Sequence, residues 1–236
     1  NTIWSQIYGG LEIDAFHSIS AIDDEYGYIT VGQTKSYMLD KSRIKNPGFF
    51  GRIIASIFKK KPTSEVWIMN IDEYGDKNWH NTYGGKKEDV GKSIKQSGDG
   101  GYIITSETSS KGAGKNDIWV KKVDKNGKIK WDITIGDKKD EFASSTTISN
   151  REAIFISGYK TKKEKFSLRK LIKPNKNIEK NNKQRVSGFL VMLDKKGKVK
   201  WELDPLDESN SLGSFLETTK NGVLITGQKS TEFNGS

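Results

Sequence analysis

Residues 117–131 read Asp117-Ile118-Trp119-Val120-Lys121-Lys122-Val123-Asp124-Lys125-Asn126-Gly127-Lys128-Ile129-Lys130-Trp131. An aromatic residue is followed five positions on by Asp, three further by Gly, and four further by Trp. The same offsets recur at Trp67–Asp72–Gly75–Trp79 and at Phe189–Asp194–Gly197–Trp201. Fixed spacing in three copies marks one supersecondary unit used as an array.

Working outward, more of the unit repeats. Tyr8-Gly9-Gly10 follows Trp4, Tyr83-Gly84-Gly85 follows Trp79, and Ile135-Gly136-Asp137 follows Trp131. Ten residues after each of these Trp stands an acid, Asp14, Asp89 or Glu141. Apolar runs ending in a small residue come next: Tyr28–Gly32, Tyr102–Ser106, Ile154–Gly158 and Val223–Gly227. Successive Trp lie 75, 52 and 70 residues apart, so the middle repeat is bare and the outer two carry insertions.

The runs are short and rich in Ile, Val, Tyr and Trp, which is strand chemistry. Asp99-Gly100-Gly101, Asn126-Gly127, Lys196-Gly197 and Asn221-Gly222 punctuate them as turns. The second repeat predicts strands over 92–97, 101–108, 117–124 and 128–135. Its Asp-x-x-Gly segment forms the last hairpin, with the Gly at positive φ and the Asp side chain capping the turn. The N-terminus is expected to open on a fourth strand (Ile3–Tyr8), and the C-terminus to stop after a second strand (Val223–Lys229).

Four-stranded antiparallel sheets repeated every ~50 residues bury both faces when stacked radially, as propeller blades are. The pattern Trp…Tyr-Gly-Gly…Asp-Gly-Gly-Tyr-Ile-Ile…Asp-Ile-Trp-Val resembles the β-propeller repeats of exported bacterial proteins and lipoproteins. Residues 191–201 are also similar to the quinoprotein-type repeat of pyrroloquinoline-quinone dehydrogenases and of an outer-membrane assembly lipoprotein. The resemblance implies an all-β propeller of about four blades, either part of a larger propeller or imperfectly closed. It also implies export to the periplasm, outer membrane or cell surface, with a signal or lipid anchor upstream of Asn1.

Composition agrees with short strands and many turns: 236 residues, 33% apolar, 24 Gly and 4 Pro. With no cysteine, disulfides, thiolate metal sites and Cys nucleophiles are excluded. The net charge of +10 is unevenly placed. Residues 41–61 hold 7 basic residues and no acid, and residues 160–185 hold 11 against Glu164 and Glu179. The remainder carries 22 basic and 28 acidic residues, so the excess lies in two basic insertions, 41–62 and 160–185, on an acidic scaffold.

Both insertions fall between the second and third strands of their repeats. Candidate binding residues are Arg52, Lys59, Lys60, Lys61, Lys162, Lys163, Lys165, Arg169, Lys170 and Lys173. Phe49, Phe50, Ile53, Ile54, Ile57 and Phe58 are spaced as one stripe of a short helix ended by Lys59–Lys61 and Pro62. Such a stripe fits a membrane interface, a partner's groove, or the protein's own surface. The insertions are alternatively solvated loops without a partner.

Catalysis has little support. His17 and His80 lack an acid–nucleophile constellation and read as turn or surface residues. Lys111–Asn116 lacks the phosphate-loop spacing and reads as a hairpin loop. Asp72, Asp124 and Asp194 are spread one per repeat, and Asp14, Asp89 and Glu141 read as structural hydrogen-bond groups. A quinoprotein-like enzyme is the remaining alternative that the resemblance implies, but its calcium-binding set cannot be placed on this sequence and its adjacent Cys pair is absent. The expectation is a non-catalytic, cofactor-free and metal-free interaction or adhesion module of the bacterial envelope. Its partner would be an envelope or host-matrix protein, alternatively an anionic glycan or lipid surface, and not a specific nucleic acid.

Overall fold

The computed structural model describes residues 4–10, 12–23, 27–36, 63–161, 186–203, 210–219 and 222–230. Among these the chain is all β, with no helix. Fourteen strands are formed: β1 Asp14–Ala21, β2 Gly27–Thr34, β3 Glu65–Asp72, β4 Lys77–Tyr83, β5 Asp89–Gln96, β6 Tyr102–Thr108 and β7 Asp117–Val123, then β8 Ile129–Ile135, β9 Glu141–Ile148, β10 Ile154–Thr161, β11 Val186–Leu193, β12 Val199–Leu203, β13 Asn210–Thr219 and β14 Gly222–Ser230. They make three four-stranded sheets, each in simple sequence order, and a two-stranded sheet β13-β14. The observed β5–β8 match the template from the second repeat to within three residues at each end.

Residues 4–10 form no strand, so the expected fourth strand at Ile3–Tyr8 is not made there. The segment nevertheless packs as β4 does. Tyr8 Oη donates to the carbonyl of Gly75, and Trp4 Nε1 donates to Glu73 O at 2.7 Å. At the next turn Tyr83 Oη donates to Gly127 O at 2.5 Å and Asn81 Nδ2 to Asn126 O at 3.2 Å. Among the described residues no strand pairs with residues 4–10.

The turn chemistry follows the sequence. Asp72, Asp124 and Asp194 each use Oδ1 to accept two backbone amides, two and four residues ahead, at 2.8–3.0 Å. Gly75, Gly127 and Gly197 sit at φ +86°, +80° and +82°. A Cβ on Gly127 would lie 2.2 Å from Asn81 Nδ2, so both the backbone angle and the space require glycine.

Register irregularities also recur. The first strand of each four-stranded sheet carries one extra residue at the third position after its acid: His17, Lys92 and Ser144. Each is a bulge that sharpens the twist. His17 is therefore a strand residue, and its Nδ1 lies 2.8 Å from Gly91 O. His80 likewise lies within β4.

The chain divides into two compact units, residues 1–111 with 119–134, and residues 112–118 with 135–236. The core of the first is Ile29, Val31, Val66, Ile68, Ile94, Tyr102, Ile104 and Val123, with Trp79 and Tyr83 packed against it. A second cluster there joins Trp67, Met69 and Ile71 to Tyr8 and Phe16. Phe16 stacks on Trp67 at 4.4 Å between ring centroids. In the second unit Ile154, Ile156, Phe189, Val191 and Leu193 are buried. The aromatic that opens each sequence phrase is thus a core residue, which explains its recurrence.

Candidate functional site

The acids at the start of β1 and β5 are held identically. Asp14 Oδ2 accepts Gly10 N at 2.7 Å and Ser36 Oγ at 2.6 Å, while Thr34 Oγ1 donates to Oδ1 at 2.5 Å. Asp89 Oδ2 accepts Gly85 N at 2.8 Å and Ser110 Oγ at 2.7 Å, and Thr108 Oγ1 donates to its Oδ1. Burial alone raises the Asp14 carboxyl, but the donors Ser36, Thr34 and Gly10 outweigh it and hold it below the usual range. These carboxylates tie the glycine turn to the end of the second strand. Every oxygen is occupied, as the structural reading expects.

Glu141 departs from this pattern. Its register partner on β10 is Lys160, where the other two sheets have Thr34 and Thr108. Lys160 Nζ turns to Glu202 Oε1 at 3.5 Å. Glu141 Oε2 accepts Asp137 N at 3.2 Å, and the residue is 5% exposed. Asp117, 1% exposed, accepts Gly114 N at 3.0 Å and Ala113 N at 3.3 Å. Asp117 Oδ1 and Glu141 Oε2 lie 2.2 and 2.6 Å from where Gly136 would carry a Cβ, so only glycine fits between the two carboxyls. Burial, reinforced by the charges of Asp137 and Asp117, pushes Glu141 up to about 7 against the opposing Asp137 amide and Lys160 charge. Beside it is a cavity of about 90 Å³ lined by Ile118, Ile135, Gly136, Asp137, Glu141, Lys160, Phe189 and Glu202.

In the first unit one lysine is wholly buried. Lys121 Nζ donates to Ser106 Oγ at 2.8 Å and lies 3.2 Å from the centroid of Trp119. Burial drives its ammonium well below the ordinary 10.5. A Ser–Lys pair is a nucleophile–base combination in principle. Here both residues are 0% exposed, and Ser106 Oγ is already committed to Trp119 O at 2.7 Å.

An open groove of about 870 Å³ in the second unit runs past the β9–β10 turn, with Arg151, Glu152 and Phe155, to Met192, Lys195 and Thr218. Glu152 holds φ +58° where the equivalent turn of β5–β6 has Gly100 at φ +75°.

The sequence-predicted binding residues are not among these. Arg52, Lys59, Lys60 and Lys61, the stripe Phe49, Phe50, Ile53, Ile54, Ile57 and Phe58 with its short helix, and Lys162, Lys163, Lys165, Arg169, Lys170 and Lys173 all lie outside the described residues. Their attachment points are described. Residues 37–62 leave β2 and enter β3 at the register pair Thr34↔Glu65, and residues 162–185 join β10 to β11 at Thr161↔Val186. The bare connection 109–116 spans the same corner between β6 and β7. Sequence reading grouped Glu141 with Asp14 and Asp89 and missed its different surroundings. The available signal was paired: Glu for Asp in one strand, Lys for Thr in its neighbour. Compared with known proteins, the chain matches no family model and no curated protein.

Proposed function

We propose that the protein is a non-catalytic interaction module of a bacterial envelope, whose four-stranded sheets are blades of a β-propeller and whose two basic insertions make the contact with a protein partner. The observation that carries this reading is the shared corner. Both insertions replace the connection between second and third strands, at register pairs Thr34↔Glu65 and Thr161↔Val186. In a propeller, equivalent corners of all blades lie on one face, so residues 37–62 and 162–185 would present 17 of the chain's 40 basic residues together, Lys160 belonging to β10 instead. An acidic scaffold behind them repels the same anionic surface, which confines contact to the insertions.

The hydrogen bonding of the recurrent acids favours a scaffold over an enzyme. Asp14 and Asp89 spend both oxygens on turn amides and hydroxyls, and Asp72, Asp124 and Asp194 cap hairpins. A second reading, a sulfated glycan or anionic lipid as the ligand, is favoured by the charge partition itself.

The test replaces each insertion by the 109–116 connection of the bare repeat. Intact and doubly replaced chains are compared for capture of an envelope or matrix protein and for binding to heparin and anionic vesicles. Loss of protein capture on replacement, with secondary structure unchanged, supports the proposal. Undiminished capture by the replaced chain contradicts it. Binding confined to heparin or vesicles selects the second reading.

A further inference from the structure

The three Asp-x-x-Gly hairpins share one cap and differ at the residue before glycine: Tyr74, Asn126 and Lys196. Of these only Asn126 carries a side-chain amide. An asparagine in that place can react with its own backbone, the nitrogen of the next residue attacking Cγ. Glycine leaves that nitrogen unshielded because it has no Cβ. Asn126 is exposed, and among the described residues its side-chain amide makes no hydrogen bond. Asp99-Gly100 in the β5–β6 turn has the corresponding atoms, but Lys122 and Lys130 pair with its carboxylate, the latter at 3.2 Å. An ionised carboxylate offers no good leaving group, so that turn is stable.

Two hydrogen bonds hold the peptide group that would react. Gly127 N donates to Asp124 O at 3.0 Å, so attack begins in the fraction of molecules where that turn bond has opened. Asn81 Nδ2 donates at 3.2 Å to Asn126 O, the carbonyl of the same peptide group. That bond draws electron density from the Gly127 nitrogen and makes its proton easier to lose. We infer that Asn126 is a site of spontaneous deamidation, and that its conversion to isoaspartate releases β4 from the β7–β8 hairpin. The inference does not depend on the insertions or on what they bind.

The reaction needs only water. Gly127 N loses its proton and bonds to Asn126 Cγ, the Cγ–Nδ2 bond breaks, and ammonia leaves with that proton. Water then opens the cyclic imide at either carbonyl. Opening at Cγ gives aspartate; opening at the backbone carbonyl gives isoaspartate, whose chain runs on through Cβ and Cγ. The extra main-chain atom falls where the turn tolerates it least. Asp124 Oδ1 accepts Asn126 N and Lys128 N, each at 2.9 Å, a pairing set by the length of chain between them. The two carbonyls beside the new atom are also the ones β4 uses. Asn126 O accepts Asn81 Nδ2, and Gly127 O accepts Tyr83 Oη at 2.5 Å. At the preceding turn Gly75 O accepts Tyr8 Oη, but Tyr74 there cannot form the ring.

The test ages the full chain in warm neutral buffer beside the synthetic peptide 120–131. Asn126→Gln is the control, since its longer side chain closes a ring far more slowly. Mass spectrometry of acid-quenched digests reads the mass gain at position 126, and fragmentation separates isoaspartate from aspartate. Asn221 and Asn234, which also precede glycine and lie outside the described residues, are read in separate peptides. Hydrogen exchange of residues 77–83 is followed on the same samples. The expected result is conversion of Asn126 in the folded chain, slower than in the peptide, with isoaspartate the main product. Exchange of β4 should be about tenfold faster in converted than in unconverted molecules. In N126Q neither change should appear on that timescale. Asn126 left intact in the folded chain long after the peptide has fully converted overturns the proposal. So does aspartate formed without isoaspartate, which marks direct hydrolysis, and so does isoaspartate that leaves β4 exchange unchanged.

Discussion

At the scale of single residues, the repeat shows which side chains are constrained by packing and which are not. Lys121 sits where the other two phrases place Met69 and Val191, two residues past the core aromatic. A 0% exposed ammonium is unfavourable there, and burial drives its value well below 10.5. The unfolded chain binds this proton over the interval between the lowered value and 10.5, so wild-type stability rises with pH through that interval. Lys121→Met should stabilise the protein by roughly 1–4 kcal/mol at neutral pH and flatten that slope, as read by urea unfolding at pH 7 and 9.5. Asp89 has the opposite character. Its removal leaves Gly85 N and the Thr108 and Ser110 hydroxyls without their acceptor. Asp89→Ala should cost roughly 2–4 kcal/mol in the same assay. Glu141 differs again: because its folded value is raised to about 7, the stability it contributes is full below about 4.5 and lost as pH rises through 7. E141Q should therefore gain stability relative to wild type above pH 7.

At the scale of elements, the hairpin turns were legible and the first strands less so. Asp-x-x-Gly states its conformation locally, because one carboxylate oxygen caps two amides and glycine alone relaxes at φ near +80°. Gly127→Ala would bring a Cβ within 2.9 Å of the Trp79 ring and place alanine in the left-handed region. It should cost at least about 1–2 kcal/mol in thermal or urea unfolding, whereas the same change at Gly100, with nothing within 4 Å, should cost only the conformational part. The start of β5 was placed three residues late, because Asp89-Val90-Gly91 reads as a turn by composition. It pairs only because Thr108 and Ser110 hold Asp89 against the second strand. The bulges at His17, Lys92 and Ser144 are set by that long-range pairing and have no local signature. The Glu141 cavity was hidden for the same reason: it needs Lys160, 19 positions away, to be recognised as the replacement of a threonine.

At the scale of the molecule, the repeat and the charge partition describe different things. Recurrent residues build sheets, and 17 basic residues reside in the two segments, 37–62 and 162–185, that interrupt them. The propeller proposal predicts that successive four-stranded sheets in an experimental structure are related by one repeated rotation about a common axis. Two sheets packed face to face as a sandwich would contradict it. The binding proposal makes a sharper demand, since contacts carried by exposed lysine and arginine weaken as salt rises. The most direct measurement is calorimetric titration of the captured partner into the intact chain and into the chain with both insertions replaced, at about 50 and 500 mM salt. The account predicts tight, salt-sensitive binding to the intact chain and none detectable to the replaced chain, with both giving the same circular dichroism spectrum. Equal affinity for the two chains, at either salt concentration, would contradict it.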